Sequence, residues 1–219
     1  MKTISGITIR MLSGFILCAV GTVMALNSKL GLSPWDVFHQ GLTHVIGITI
    51  GQASIIVGLA VVMITSMLGI KVGLGTIANM ILIGCFMDLI IYSGIIPTSN
   101  NLFTGILMMA GSLIANAFGG YLYIGCEMGC GPRDGLMLAL VKMTGKPVSL
   151  IRFCIESGAL VIGWILGGTV GIGTLITAFG VGYCVQILYK IFKFDVNSLR
   201  HKNIEQGVIF INQCIVNQK

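Results

Sequence analysis

The 219-residue chain is 55% apolar and only 9% charged, with a mean hydropathy of +0.98. Because a soluble domain carries roughly 25% charged residues, this composition excludes a water-soluble globular protein. The net charge of +6 is not gathered on a soluble domain that could bind a phosphate backbone, so it indicates no nucleic-acid partner and is informative about membrane topology instead.

Six apolar stretches are long enough, at about 1.5 Å per residue, to cross a hydrocarbon core about 30 Å thick. They are residues 11–28, 52–69, 74–93, 101–124, 150–167 and 172–192. The first has the composition of a secretory signal peptide, but it aligns with an internal apolar segment, so we expect it to be retained. The pattern predicts an all-α polytopic protein in a lipid bilayer.

The two halves of the chain align without a gap when one is shifted by 98 residues. The segment Gly31–Asp36 (Gly-Leu-Ser-Pro-Trp-Asp) falls on Gly129–Asp134 (Gly-Cys-Gly-Pro-Arg-Asp), and the glycine loop 72–76 falls on 170–174. Shared turn residues at constant spacing indicate a duplication. We therefore divide the chain into a first membrane repeat (1–98), a second membrane repeat (99–195) and a short cytoplasmic tail (196–219).

Each repeat also holds a short segment, 34–46 in the first and 132–144 in the second. Thirteen residues reach about 20 Å as a helix, too little for an ordinary crossing. Ser33 suits a helix N-cap, and Pro34 suits the first helical position. Asp36 suits the third, where its carboxylate could accept from free backbone N–H groups. The segments are either re-entrant helices or amphipathic helices lying at the interface.

The distribution of Lys and Arg favours the arrangement in which the short segments do not cross. Each repeat then has three spans, the second repeat is inverted relative to the first, and both termini are cytoplasmic. Only Lys29 lies outside. The cations on the inner side are Lys2, Arg10, Lys71, Arg133, Lys142, Lys146, Arg152, Lys190, Lys193, Arg200 and Lys202.

Two half helices that enter from opposite faces would point their positive N-terminal ends at one midplane site, as in many transporters. We expect such a substrate site to be lined by Trp35, Asp36, Arg133, Asp134 and Glu156. The competing interpretation makes Asp36 and Asp134 helix caps only.

Two further side chains are secondary candidates for this site. His39 could carry protons, or could simply face water at the interface. Arg152 stands four residues before Glu156, so the two share one helix face as a structural ion pair or as part of the site.

These features favour a small-molecule transporter or permease, with an anionic substrate suited to the helix N-termini. The alternative is a non-transporting accessory protein that supports another membrane protein or a secretion or biosynthetic pathway. No paired carboxylates, Ser/His/Asp set or metal-ligand spacing appears, so we expect no enzyme, no cofactor and no metal. The sequence is also compatible with a homo-oligomer.

Three motifs resemble the YczE/YyaS/YitT family of bacterial integral membrane proteins. They are Gly31–Asp36, the stretch Gly47-Ile-Thr-Ile-Gly-Gln52, and Gly73-Leu-Gly-Thr-Ile-Ala-Asn79. The resemblance covers about residues 5–195 and includes Gly-Pro-Arg-Asp of the second half. It implies a multi-pass helical fold in the bacterial plasma membrane, and it implies no substrate and no catalytic residue.

Overall fold

The computed structural model describes residues 4–194 and 202–216, and this part of the chain is α-helical. The first half contains α1 (Ile4–Ser28), α2 (Pro34–Ile46), α3 (Ile50–Met67) and α4 (Leu74–Ser93). The second contains α5 (Leu102–Ile124), α6 (Pro132–Thr144), α7 (Val148–Ile165) and α8 (Ile172–Ile191), followed by α9 (Ile204–Val216). Within the described residues, α1, α3, α4, α5, α7 and α8 are long and apolar enough to span a membrane. The prediction of an all-α polytopic membrane protein is confirmed.

The helices of the two halves keep the 98-residue register. Helices α6, α7 and α8 begin and end 98 residues after α2, α3 and α4, and both short helices have the predicted bounds. Helix α2 begins as its sequence requires, with Ser33 as the N-cap and proline at the first position. Both short helices end at a glycine in the left-handed conformation, Gly47 (φ 76°) and Gly145 (φ 65°).

Helices α1 and α5 pack along each other and run antiparallel, with Gly105 beside Ser28 at one end. Small residues let their backbones approach. A Cβ on Gly119 would lie 2.7 Å from the Gly14 carbonyl oxygen. A Cβ on Gly21 would lie 3.0 Å from the Ser112 carbonyl oxygen. Gly119 follows Gly21 by 98 residues, and Ser112 follows Gly14 by the same distance, so the contact is made twice with the halves exchanged.

Each short helix rests on a long helix of the other half. Helix α2 packs along α7, and α6 packs on α3. Among the long helices, besides the pair α1–α5, α4 packs on α1, α8 packs on α5 and α3 packs on α4. The long helices therefore follow one another around a ring in the order α1, α4, α3, α7, α8, α5, with both short helices inserted between α3 and α7.

The turn before each short helix is held by the last long helix of the opposite half. The backbone N–H of Gly75 donates to the Met128 carbonyl, and that of Gly173 donates to the Leu30 carbonyl, each over 2.7 Å. Gly31 and Gly129 stand in these turns with φ of 113° and 132°, a backbone conformation that favours glycine. The two halves are interlocked.

The ring is not symmetric. In the first half, the Asp88 carboxylate of α4 accepts a hydrogen bond from the Thr49 hydroxyl (2.5 Å) and one from the Gly51 backbone N–H (2.9 Å) at the start of α3. The corresponding residues of the second half are Gln186, Pro147 and Ser149. Among the residues that the structure describes, α7 and α8 do not pack along each other as α3 and α4 do.

The segment interpreted as a tail contains a helix in its described part. The Lys202 backbone N–H donates to the Glu127 carbonyl (2.9 Å), and the Ile204 N–H donates to the Val72 carbonyl (3.1 Å). Helix α9 therefore begins against the turn that precedes α6 and the start of α4.

Candidate functional site

A cavity of about 320 Å³ lies inside the ring. It is lined by residues close to the middle of each long helix, together with the first turns of α2 and α6. The mid-helix residues include Cys18, Gly58, Ile83, Asn116, Glu156 and Val181. The N-termini of the short helices thus reach the middle level of the long helices, as the re-entrant alternative requires and the interfacial alternative does not.

The two short helices meet at this cavity through Trp35, Asp36 and Arg133. The Arg133 guanidinium carbon lies 5.0 Å from the centroid of the Trp35 ring, within the range of a cation–π contact. Its Nη2 atom lies 3.8 Å from Asp36 Oδ1. This second distance allows electrostatic attraction but is too long for a hydrogen bond. One side chain from the second half therefore bridges two from the first.

Asp36 is buried and forms part of the helix start. The Ser33 hydroxyl donates to Asp36 Oδ2 (2.5 Å), while the Asp36 backbone N–H points back at Ser33 Oγ (3.4 Å). We expected the carboxylate to accept from backbone N–H groups. It accepts from the N-cap hydroxyl instead, so its second oxygen is left facing His39 and Arg133.

His39 is buried, with 2% of its surface exposed, so the interpretation that it faces water at the interface is wrong. Its Nδ1 atom lies 3.5 Å from Asp36 Oδ1 and makes no hydrogen bond within the described part of the chain. Burying an imidazole nitrogen without a hydrogen bond costs folding free energy. Such a nitrogen is therefore a candidate to bind a ligand or a proton in the cavity.

Arg152 and Glu156 form the expected pair on α7, with Nε 2.9 Å from Oε1. Both side chains line the cavity, and Glu156 is the less exposed of the two, at 27% against 57%. The first half has Ser54 and Gly58 at these positions, so only one half of the cavity wall carries the ion pair.

All the candidate site residues line this one cavity, including Asp134, which follows Arg133 in the first turn of α6. Whether the cavity binds a substrate stays a prediction. Among residues 4–194 and 202–216, no group of three or more His, Cys, Asp or Glu side chains is arranged to hold a metal ion.

Sequence reasoning left several polar cavity residues without a role, namely Thr22, Asn79, Ser112, Asn116, Tyr123 and Thr177. Within this set, the Asn116 Nδ2 donates to the Ser112 carbonyl of its own helix (3.0 Å). The signal that finds these residues is a polar side chain within an apolar span.

Comparison with known proteins agrees with a membrane protein of unassigned activity. Residues 7–190 match the model of a family of unknown function, DUF6198. The uncharacterized membrane protein YczE of Bacillus subtilis (strain 168) is 35% identical over 176 residues, which cover 80% of this chain and 81% of that protein.

Two further relatives are more distant. An uncharacterized protein of Haemophilus influenzae is 32% identical over 172 residues, 78% of each chain. The uncharacterized protein YyaS of Bacillus subtilis is 25% identical over 181 residues, covering 81% of this chain and 90% of the relative. No solved structure matches significantly. The resemblance to YczE and YyaS inferred from the motifs is confirmed.

Proposed function

The chain belongs to the family of unknown function DUF6198, and from that premise we propose that it is a transporter that moves a small organic anion through the cavity at the centre of its helix ring. The observation that carries the proposal is the convergence of two helix N-termini, one from each half, on a polar cavity at the middle level of the long helices. Each N-terminus carries roughly half a positive charge, and both lie where no ordinary helix end would be.

Arg133 and the two helix N-termini are the features of the cavity that favour an anion, and they act beside three carboxylates of the lining, Asp36, Asp134 and Glu156. Asp36 is already held by the Ser33 hydroxyl, and Glu156 by Arg152, so neither carboxylate is left without a polar partner. Arg133 contacts the Trp35 ring, approaches Asp36 only to 3.8 Å, which is too far for a hydrogen bond, and has 44% of its side chain exposed. Its N–H donors are therefore available to a carboxylate, sulfonate or phosphate oxygen.

The proposed topology places both termini in the cytoplasm, with the second repeat inverted relative to the first. The antiparallel contact of α1 with α5 and the exchanged contacts of the turns support the inversion. The charge distribution supports the orientation, because Lys29 would be the only Lys or Arg outside. Since the relatives compared above are bacterial proteins, we place the protein in the bacterial plasma membrane.

The proposal is tested by current measurements on proteoliposomes adsorbed to a solid-supported membrane. Rapid jumps in the concentration of carboxylates, sulfonates and phosphate esters should produce a saturable current with the wild-type protein. Arg133→Gln should lose that current, because the charge that binds the anion is gone. Lys142→Gln, which removes an exposed charge at the other end of the same helix, is the matched control and should retain it.

An accessory role predicts the opposite result. A protein that only supports another membrane protein has no need of a charged cavity. Arg133→Gln would then restore a deletion strain as well as the wild type does, and no anion in the panel would produce a current. Either observation, with normal amounts of protein in the membrane, would contradict the transporter.

A further inference from the structure

The ring of long helices is open at one place, between α7 and α8. Within the described residues, every other neighbouring pair in the ring is packed together directly or through the short helices. Helices α7 and α8 are joined by the short loop 166–171, which holds them together at the end of α7 and the start of α8. The opening is in the wall of the ring rather than at one end of it.

Comparison with the closed pair α3–α4 explains the opening residue by residue. A Cβ on Gly58 would lie 2.6 Å from Met80 Cγ, and a Cβ on Gly84 would lie 2.7 Å from the Gly51 carbonyl oxygen. The second half replaces Gly58 by Glu156 and Met80 by Ala178. A charged side chain thus stands where a close helix contact would be, opposite a residue too small to fill the space.

The glycine that is common to both halves shows the same difference. Gly182 corresponds to Gly84, but a Cβ on Gly182 would have no heavy atom within 4 Å. The Asp88 contacts that join α3 to α4 are also missing, since Gln186 and Pro147 stand at the matching positions. The opening is therefore encoded in several residues of the second half.

This opening connects the cavity with the outer surface of the ring. Glu156, Ala178 and Val181 line the cavity, and Ala178 is itself exposed. Large apolar side chains cover the outer surfaces of the two helices, with Phe153 68% and Phe179 71% exposed. Because such surfaces face lipid in a membrane protein, the opening leads from the hydrocarbon region of the bilayer into a charged cavity.

We propose that the substrate is an anionic amphiphile that enters sideways from the bilayer between α7 and α8; this inference rests on the proposed transport function. The anionic head group binds Arg133 and the two helix N-termini, while the apolar chain stays between α7 and α8, against Ala178 and Val181. The Arg152–Glu156 pair lies along the path of the head group and offers it polar contacts on the way in.

Trp35 provides an internal reporter for this proposal because it lies in the cavity and its ring contacts Arg133. The other tryptophan, Trp164, is 65% exposed and is removed by Trp164→Phe. The single-tryptophan protein is placed in nanodiscs of phosphatidylcholine that contain a minor fraction of lipid with brominated acyl chains. Bromine quenches tryptophan only at short range, so quenching of Trp35 reports an acyl chain between α7 and α8.

Brominated phosphatidylglycerol should quench Trp35 more strongly than brominated phosphatidylcholine, and Arg133→Gln should remove the difference. Ala178→Phe should also remove it, because the ring fills the opening, and Val181→Phe serves the same purpose if the first variant unfolds. Leu175→Phe adds the same ring to an outward-facing, 63% exposed position of α8 and should leave the quenching unchanged.

Equal quenching by the two brominated lipids, or a preference that survives Ala178→Phe in the folded protein, would overturn the proposal. Inorganic phosphate and glycerol phosphate, added without brominated lipid, show whether only the sideways entry is wrong or the proposed transport function as well. If these soluble anions change Trp35 emission or drive a current while the lipids do not, the protein transports a water-soluble anion and the sideways entry is wrong. A dimer whose second copy covers α7 and α8 and prevents quenching also overturns it.

Discussion

Asp36 combines a structural and an electrostatic contact in one carboxylate. One oxygen accepts from the Ser33 hydroxyl at the start of α2, and the other faces Arg133 and His39. The first contact requires only an acceptor, whereas the second requires a negative charge. A substitution that keeps the acceptor and removes the charge therefore separates the two roles.

We expect Asp36→Asn to insert and fold like the wild type but to lose transport. The asparagine carbonyl can still accept from Ser33, and asparagine is tolerated at helix starts. The neutral amide leaves Arg133 without its nearby counter-charge, so Arg133 holds a bound anion more tightly and releases it too slowly for transport. Membrane abundance is measured beside the anion-dependent current. A fully active Asp36→Asn, Asp134→Asn double mutant would show that both residues are caps and nothing more.

Local sequence signals predicted the helix start at Ser33 and Pro34, but they could not predict contacts between the two halves of the chain. Ser33 and Pro34 identify a helix start because capping depends on neighbours in the chain. The Thr76 hydroxyl donates to the Cys130 carbonyl of the other half (2.5 Å), a contact that the sequence did not predict. No local pattern contains a bond between residues 54 positions apart.

At the scale of helix pairs, the closed α3–α4 contact and the open α7–α8 contact differ in the space around one matching glycine. We expect Gly84→Ala to destabilise the protein by about 1–3 kcal/mol, because the new methyl group meets the α3 backbone and Ile55. Gly182→Ala should have little effect, since nothing lies within 4 Å of the new atom. Thermal unfolding in detergent measures both, and equal losses would show that α7 and α8 close as tightly as α3 and α4.

The Asp88 contacts provide a second comparison of the same two helix pairs. Asp88→Leu removes the acceptor for Thr49 and Gly51 and should cost about 1 kcal/mol or more of stability. Gln186→Leu introduces the same residue at the matching, exposed position of α8 and should leave the stability almost unchanged. The difference between the two unfolding temperatures is the measurement, and no difference would mean that the carboxylate contributes nothing to the α3–α4 contact.

Most helix boundaries were predictable from the sequence because apolar length and turn residues determine them. Helices α2 and α6 have the predicted bounds, and the long helices begin and end within two residues of theirs, except that α1 begins at Ile4 and not at residue 11. The separation of α7 from α8 was not predictable, although the sequence shows Glu156 at the position that matches Gly58. A charge in a span indicates a polar environment, but it does not say which neighbouring helix moves away. Helix α9 was not predicted, because the residues after 195 were interpreted only as a short tail that leaves the bilayer.

For the whole molecule, the inverted arrangement predicts opposite sides for two exposed loop positions. In a cysteine-free background, Pro97→Cys should react with an impermeant maleimide added outside intact cells. Lys146→Cys should react only after the membrane is opened. The reason is the odd number of spans in each half, which places the two loops on opposite faces. Reaction of both cysteines from one side would rule out the inverted arrangement.

The exchanged packing of the short helices has a consequence for the order in which the protein is made. Helix α2 lies along α7, and the turn before it is held by Gly173, yet both partners are more than 100 residues further along the chain. When α2 leaves the ribosome, the surface on which it will rest has not been synthesised. We therefore expect α2, with Asp36 and His39, to take its place among the long helices only when translation of the second half is almost finished.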